Sequence, residues 1–182
     1  LTLNGDARGS SGTTNHGIAM EGGADVASVS GNLLMEGRGG FGGRGIDLAG
    51  GSTVTSTVSA EIRMEGMARG DTGTTNKHGI SLSGTSTAIL SSGSGLIHLT
   101  GQGGSGAAAS NGGGHYGISV AAGTLIESNG SGAVQLHGHG GVSTGSTPAG
   151  GNLGVGVRGT VTSYTGDILL VGVGGGHRIY DS

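Results

Sequence analysis

Several residue types that common classes of protein depend on are missing or rare in this chain. Among 182 residues there is no cysteine, no tryptophan and one proline, and aromatic residues make up 2%. The lack of cysteine excludes disulfide bonds and thiolate metal sites. With so few aromatic side chains, any core must be thin and built from aliphatic residues.

Charge is scarce as well. Charged residues are 10% of the chain and the formal net charge is −3, so no basic excess indicates a nucleic-acid partner. No run of about 18 apolar residues predicts a membrane span. No secretion signal stands at Leu1, and we expect any export signal to lie outside this sequence.

Glycine is abundant, with 47 residues. Such a content without a collagen-like period is typical of flexible or disordered chains. Disordered chains, however, combine low hydrophobicity with high net charge. This chain is 32% hydrophobic and nearly neutral, so we expect it to fold.

A short apolar segment that ends in glycine recurs six times. The residues four and two positions before the glycine are always apolar, which predicts a β-strand with one buried face. The copies are LTLNG (1–5), LLMEG (33–37), IRMEG (62–66), IHLTG (97–101), VQLHG (134–138) and ILLVG (168–172).

Two further segments follow each copy in the same order. The second has alternating apolar residues and reads HGIAM (16–20), RGIDL (44–48), HGISL (78–82), YGISV (116–120) and LGVGV (153–157). A sixth copy, HRIYD (177–181), breaks at Asp181. The third is less regular, with predicted inward residues Val26, Val54, Ile89, Leu125 or Ile126, and Val161.

Three strands per repeat, without helical periodicity, predict an all-β fold: a right-handed parallel β-helix, or β-solenoid. One coil cannot bury its apolar row alone, whereas stacked coils can. Strands of successive coils would pair at about 4.8 Å, and parallel crossovers favour right-handed winding. We expect one domain over 1–182, with coils at 1–32, 33–61, 62–95, 96–132, 133–167 and a partial coil at 168–182.

Glycine and loop positions add two expectations. We expect the glycines at the corners of the coils, where tight turns need freedom in φ. The length of the repeat varies mainly between the first and second segments, so these loops should emerge at one edge. Such insertions mark either an interaction face or tolerated drift, and the sequence leaves both open.

The recurring pattern of these segments resembles the degenerate repeats of filamentous-haemagglutinin-like and autotransporter-type bacterial surface proteins. The resemblance covers essentially the whole chain. It implies a long secreted β-helical stalk, used for adhesion, biofilm matrix or fibre formation. Its motifs encode coil geometry and no active site.

We therefore hypothesise a structural, non-enzymatic section of an extracellular bacterial fibre or adhesin stalk, without a cofactor. Its open sheet edges should be covered by more of the same polypeptide or by another copy. The expected partners are copies stacked end to end or packed laterally into filaments, together with surface glycans or neighbouring cells. The glycine-rich corner is the expected contact surface.

Glu36 and Glu65 carry the alternative hypothesis. Each precedes the terminal glycine of its segment in adjacent coils, so the two carboxylates should stack about one strand spacing apart. That separation resembles the carboxyl pair of retaining glycosidases, and predicts a carbohydrate-active β-helix enzyme, a lyase or a hydrolase. The competing interpretation is a solvated face neutralised by Arg38, Arg63 and Arg69.

Histidines are the other candidates. His16, His78, His115 and His177 precede the second segment in four coils, where a column of imidazoles would suit Zn²⁺ or Cu²⁺. Polar side chains that hydrogen-bond the corner are the alternative interpretation. His137 and His139 form an HxH pair that should point outward. We predict no metal site, and His16, His78, His137 and His139 are the residues to test.

Overall fold

The computed structural model describes residues 1–10, 14–70, 76–107, 114–144 and 151–178. These residues form an all-β parallel solenoid with three sheets that run along its length, as the repeat predicts. The described part holds no helix with the length and apolarity needed to cross a membrane.

The first sheet has six parallel strands, one from each copy of the first segment. They are β1 (Thr2–Asp6), β4 (Leu33–Arg38), β7 (Ile62–Met67), β10 (Ile97–Gln102), β14 (Val134–His139) and β18 (Ile168–Val173). Neighbouring strands pair in the register of the repeat, so that the glycines of successive copies lie opposite one another.

The second and third sheets have five parallel strands each. The second contains β2 (Ile18–Met20), β5 (Ile46–Leu48), β8 (Ile80–Leu82), β12 (Ile118–Val120) and β16 (Val155–Val157). The third contains β3 (Asp25–Ser28), β6 (Thr53–Ser56), β9 (Ala88–Ser91), β13 (Leu125–Ser128) and β17 (Thr160–Ser163). Three strands per coil are thus confirmed.

A short fourth sheet lies in the variable corner, where the sequence indicated loops. His177 and Arg178, which were predicted to begin a sixth copy of the second segment, pair in this fourth sheet instead. The sheet consists of β11 (Ser105–Ala107), β15 (Val142–Thr144) and β19 (His177–Arg178), again parallel. Its strands belong to the later coils. Part of each long connection therefore continues the stacking instead of leaving the solenoid.

The core is a set of aliphatic columns. In the first sheet, the inward residues of the central coils, such as Leu33, Met64 and Leu99, are fully buried. Burial of one such side chain contributes on the order of 2 kcal/mol. In the third sheet Ile126, and not Leu125, continues the column of Ile89 and is fully buried, which resolves the register left open by the sequence.

The positions of the glycines differ from the prediction. Most of the glycines with left-handed φ, such as Gly84 at +83°, do lie at the corner between the second and third sheets, while Gly42 at +69° lies between the first and second sheets. The glycine that ends each first segment, however, lies inside its strand and faces the glycine of the second segment. A Cβ on Gly66 would lie 2.2 Å from the carbonyl oxygen of Gly79 and 2.6 Å from Cγ1 of Ile80. Glycine is required at these positions because the two sheets approach closely there, and not because the backbone needs a left-handed φ.

We predict that Gly66→Ala destabilises the solenoid by about 3 kcal/mol, because the added methyl group overlaps backbone that cannot move without opening the coil. Urea unfolding followed by far-UV circular dichroism measures the shift in midpoint. Gly31→Ala is the matched control, since its Cβ would meet only Oγ of Ser28, at 3.9 Å. Equal midpoints for the two variants would show that the close approach is not needed.

Candidate functional site

Glu36 and Glu65 are direct neighbours on the outer face of the first sheet, in adjacent strands β4 and β7. Nδ2 of Asn4 donates to Oε2 of Glu36 at 3.4 Å. Both carboxylates border a shallow pocket of about 130 Å³, together with Arg38, Met67 and Gln102. The stacking expected from the sequence is therefore present.

The surroundings of Glu65 resemble a solvated surface. Nη2 of Arg63 lies 2.6 Å from Oε1 of Glu65, and both side chains are more than a third exposed. An exposed ion pair of this kind contributes at most about 1 kcal/mol. An acid catalyst of a glycosidase needs a carboxyl group in an apolar or electrostatically strained setting. The register places the two side chains side by side, while the partner and exposure of Glu65 favour a neutralised surface row.

His16 and His78 occupy the corner before the second segment, and each uses its ring as a hydrogen-bond acceptor between coils. Nδ1 of His16 accepts the backbone N–H of Arg44 at 3.0 Å. Nδ1 of His78 accepts the backbone N–H of Tyr116 at 3.1 Å. In both cases the donor holds the equivalent position in the next coil. These imidazoles satisfy backbone groups, which supports the interpretation that they hydrogen-bond the corner.

A second row of polar side chains lies one residue earlier in the repeat. These side chains accept hydrogen bonds from the preceding coil instead of the next one. Nδ1 of His115 accepts from the backbone N–H of Lys77 in the preceding coil at 3.2 Å. Oδ1 of Asn152 accepts from the N–H of His115 at 2.9 Å in the same way. Sequence analysis missed Asn152 and Lys77. The available signal was a polar residue that recurs two positions before the glycine of the second segment.

Asp47 is buried beside His16, although it lies on the outward side of β5. Nη1 of Arg44 lies 2.7 Å from Oδ1 of Asp47, and Nε2 of His16 lies 3.7 Å from Oδ2. Burial lowers the pKa of His16 despite the neighbouring carboxylate. Arg44 therefore neutralises Asp47, and His16 is held neutral beside the pair.

His137 and His139 both lie on the outward side of β14, where alternation predicts them. The ring of His137 contacts that of His98 in the adjacent strand, with centroids 5.3 Å apart in an edge-on arrangement. Burial lowers the pKa of His98, with Arg63 and His137 acting in the same direction. The side chain of His177 lies outside the described residues. No three histidine, aspartate or glutamate side chains of the described ranges form a group that could hold a metal ion.

Lys77 is the charged member of this second row, and its full burial was not expected from the sequence. Its side chain is fully buried, and Nζ lies 5.6 Å from the centroid of the Phe41 ring. Burial, together with the nearby Arg69, lowers the pKa of Lys77 to about 8. Burial therefore disfavours the charged form of Lys77.

Comparison with known proteins gives no match to a protein family, to a curated protein or to a solved structure.

We predict that His78 makes the solenoid less stable in acid. Burial lowers the pKa of His78 to about 3, with Arg44 and His115 adding to the effect. In the unfolded chain a histidine titrates near pH 6.5. The unfolded state therefore binds the extra proton first, and stability is full above about pH 6.5 and falls as the pH decreases towards 3.

Urea unfolding at a series of pH values measures this dependence. His78→Asn keeps an acceptor for the N–H of Tyr116 but cannot take up the proton, so its stability should change less between neutral and acidic pH. His139→Asn, at an exposed histidine, is the control and should follow the original chain. A slope that His78→Asn leaves unchanged would exclude His78 as the source.

Proposed function

We propose that this chain is a structural, non-enzymatic section of an extracellular bacterial fibre or adhesin stalk. The observation that carries the proposal is the apolar edge of the last coil. Every residue of β18 is exposed, including Ile168 and Leu170, whose column neighbours Val134 and Leu136 in the preceding strand are fully buried. A further coil, from the same polypeptide or from another copy, would continue these core columns.

The first coil has the shape to cover that edge. Its strands β2 and β3 have the lengths of β16 and β17, and β1 is one residue shorter than β18. Stacking a second copy in the register of the repeat would place Leu3 on Leu170, Ile18 on Val155 and Val26 on Val161. Leu3, Ile18 and Val26 are partly buried, and each packs against the core of its own chain. The contact would repeat the one between any two coils within the chain.

The backbone supports the same arrangement. An edge strand presents unpaired N–H and C=O groups that form a template for another strand. A contact between two different ends of identical molecules is heterologous and does not close, so it builds filaments. The location at a bacterial surface, and contacts with glycans or neighbouring cells, rest on the resemblance of the repeat to filamentous-haemagglutinin-like and autotransporter-type proteins.

We predict that the chain forms filaments by end-to-end stacking, and that Leu170→Lys prevents this by placing a charge in the core column at the interface. Light scattering across a concentration series and electron microscopy measure assembly. Leu169→Lys is the matched control, because Leu169 and Leu170 are both 45% exposed but Leu169 lies on the outer face. It should assemble like the original chain.

Circular dichroism establishes that both variants keep their strands. A chain that stays monomeric at high concentration would contradict end-to-end stacking. So would equal assembly of Leu170→Lys and Leu169→Lys.

The stacked carboxylates Glu36 and Glu65 favour one alternative, a carbohydrate-active enzyme. The structural proposal predicts that the chain releases no reducing or unsaturated sugar ends from acidic or neutral polysaccharides. Activity that disappears in the double variant Glu36→Gln/Glu65→Gln would replace the structural proposal with the enzymatic one. Asn4→Ala, which removes only the neighbouring amide, controls for local disturbance of the face.

A further inference from the structure

Three arginines from three successive coils line one pocket at the corner that follows the first sheet. Arg8 follows β1, Arg38 ends β4 and Arg69 follows β7. The pocket has a volume of about 240 Å³ and a floor that includes Met67 and Ala68. We propose that this pocket binds an oxyanion, a carboxylate or a sulfate or phosphate ester, with Arg38 and Arg69 as the binding groups.

Arg8 is neutralised by its neighbour and forms one wall of the pocket. Its guanidinium contacts both carboxylate oxygens of Asp6, with Nη2 to Oδ2 at 2.6 Å. Arg8 also lowers the pKa of Asp6 to about 2, with a smaller contribution from Arg38. Asp6 therefore stays ionised, and its negative charge pairs with Arg8 in the same coil.

Arg69 is held in place by a backbone carbonyl group, and no carboxylate of the described residues pairs with it. Its Nη1 donates to the backbone carbonyl oxygen of Arg8 at 2.6 Å, two coils away. This bond uses one of five N–H donors, so the remaining donors can serve a ligand. Among the described residues, neither Arg38 nor Arg69 forms an ion pair with a carboxylate.

The charge around the pocket favours an anion. The chain has only eight lysines and arginines and a net charge of −3, yet three arginines line this one pocket. Gathering like charges is unfavourable, and a bound anion would relieve the repulsion.

The shape of the pocket indicates the class of ligand. The guanidinium fork matches the two oxygens of a carboxylate, a sulfate or a phosphate. Ala68 is buried and Met67 is 46% exposed, so the floor offers an apolar surface to whatever carries the anion. Two sources share this chemistry: a free inorganic oxyanion, and an acidic saccharide whose ring rests on that floor.

Isothermal titration calorimetry at low ionic strength tests the site with sodium sulfate, sodium phosphate, glucuronate and, as a neutral control, glucose. We expect the anions to bind and glucose not to bind. Arg38→Gln and Arg69→Gln should each weaken anion binding about 10-fold, the usual loss for one charged hydrogen-bond donor. Added salt at about 0.1 M should also weaken binding, because the guanidinium groups are exposed.

Arg158→Gln is the matched control, since Arg158 is exposed and lies beyond β16, near the last coil. It should bind the anions as the original chain does. Glucuronate binding more tightly than sulfate would identify a saccharide source, and equal affinities would identify a free oxyanion. Absence of anion binding, or equal weakening by Arg158→Gln and Arg38→Gln, would overturn the proposal. Binding is measured whether or not the chain forms filaments, so this result is independent of the structural proposal.

Discussion

The close approach of two glycine-lined sheets is the constraint on which the rest of the solenoid depends. Where the first sheet meets the second, the Cα of Gly66 faces the carbonyl of Gly79, and no side chain separates them. The coil is therefore narrow, and one or two inward aliphatic residues per strand fill it. A larger residue at these positions would widen the cross-section of one coil and take its strands out of register with both neighbours. This explains how a chain with almost no aromatic residues can bury a continuous core.

Narrow coils leave sharp corners, and polar side chains supply the hydrogen bonds that strands cannot supply there. Nδ1 of His78 accepts a backbone N–H from the next coil, whereas Nδ1 of His115 accepts one from the preceding coil. At the corner between the second and third sheets, Oγ1 of Thr124 donates to the carbonyl oxygen of Ala121 in its own turn, and Oγ of Ser52 donates to the carbonyl oxygen of Met20 in the preceding coil. The two histidines are candidate ligands in the sequence, but their ring nitrogens accept hydrogen bonds from the backbone.

The fold could be predicted from the sequence because its information is periodic. Three segments of alternating apolar residues recur once in each coil, and they define the three strands. The pairing of Glu36 with Glu65 follows directly, because each residue precedes the glycine of its own segment. The corner glycines were assigned wrongly in part, because composition alone does not distinguish a turn from a close contact between sheets. The strand β15 lies in a variable connection, where the sequence offers no clear repeat to compare. Lys77 shares a repeat position with His115 and Asn152, but three different residue types at that position hide the recurrence. The arginine pocket likewise depends on three side chains that the sequence separates by about one coil each.

Parallel pairing throughout the three sheets gives the solenoid a direction. All strands of a sheet run the same way, and the edge formed by β1 is not equivalent to the edge formed by β18. A stack of such molecules would be polar along its axis, with two chemically different tips. Growth and capping at the two tips would then be separate events, and a single capping protein would control the length from one side only.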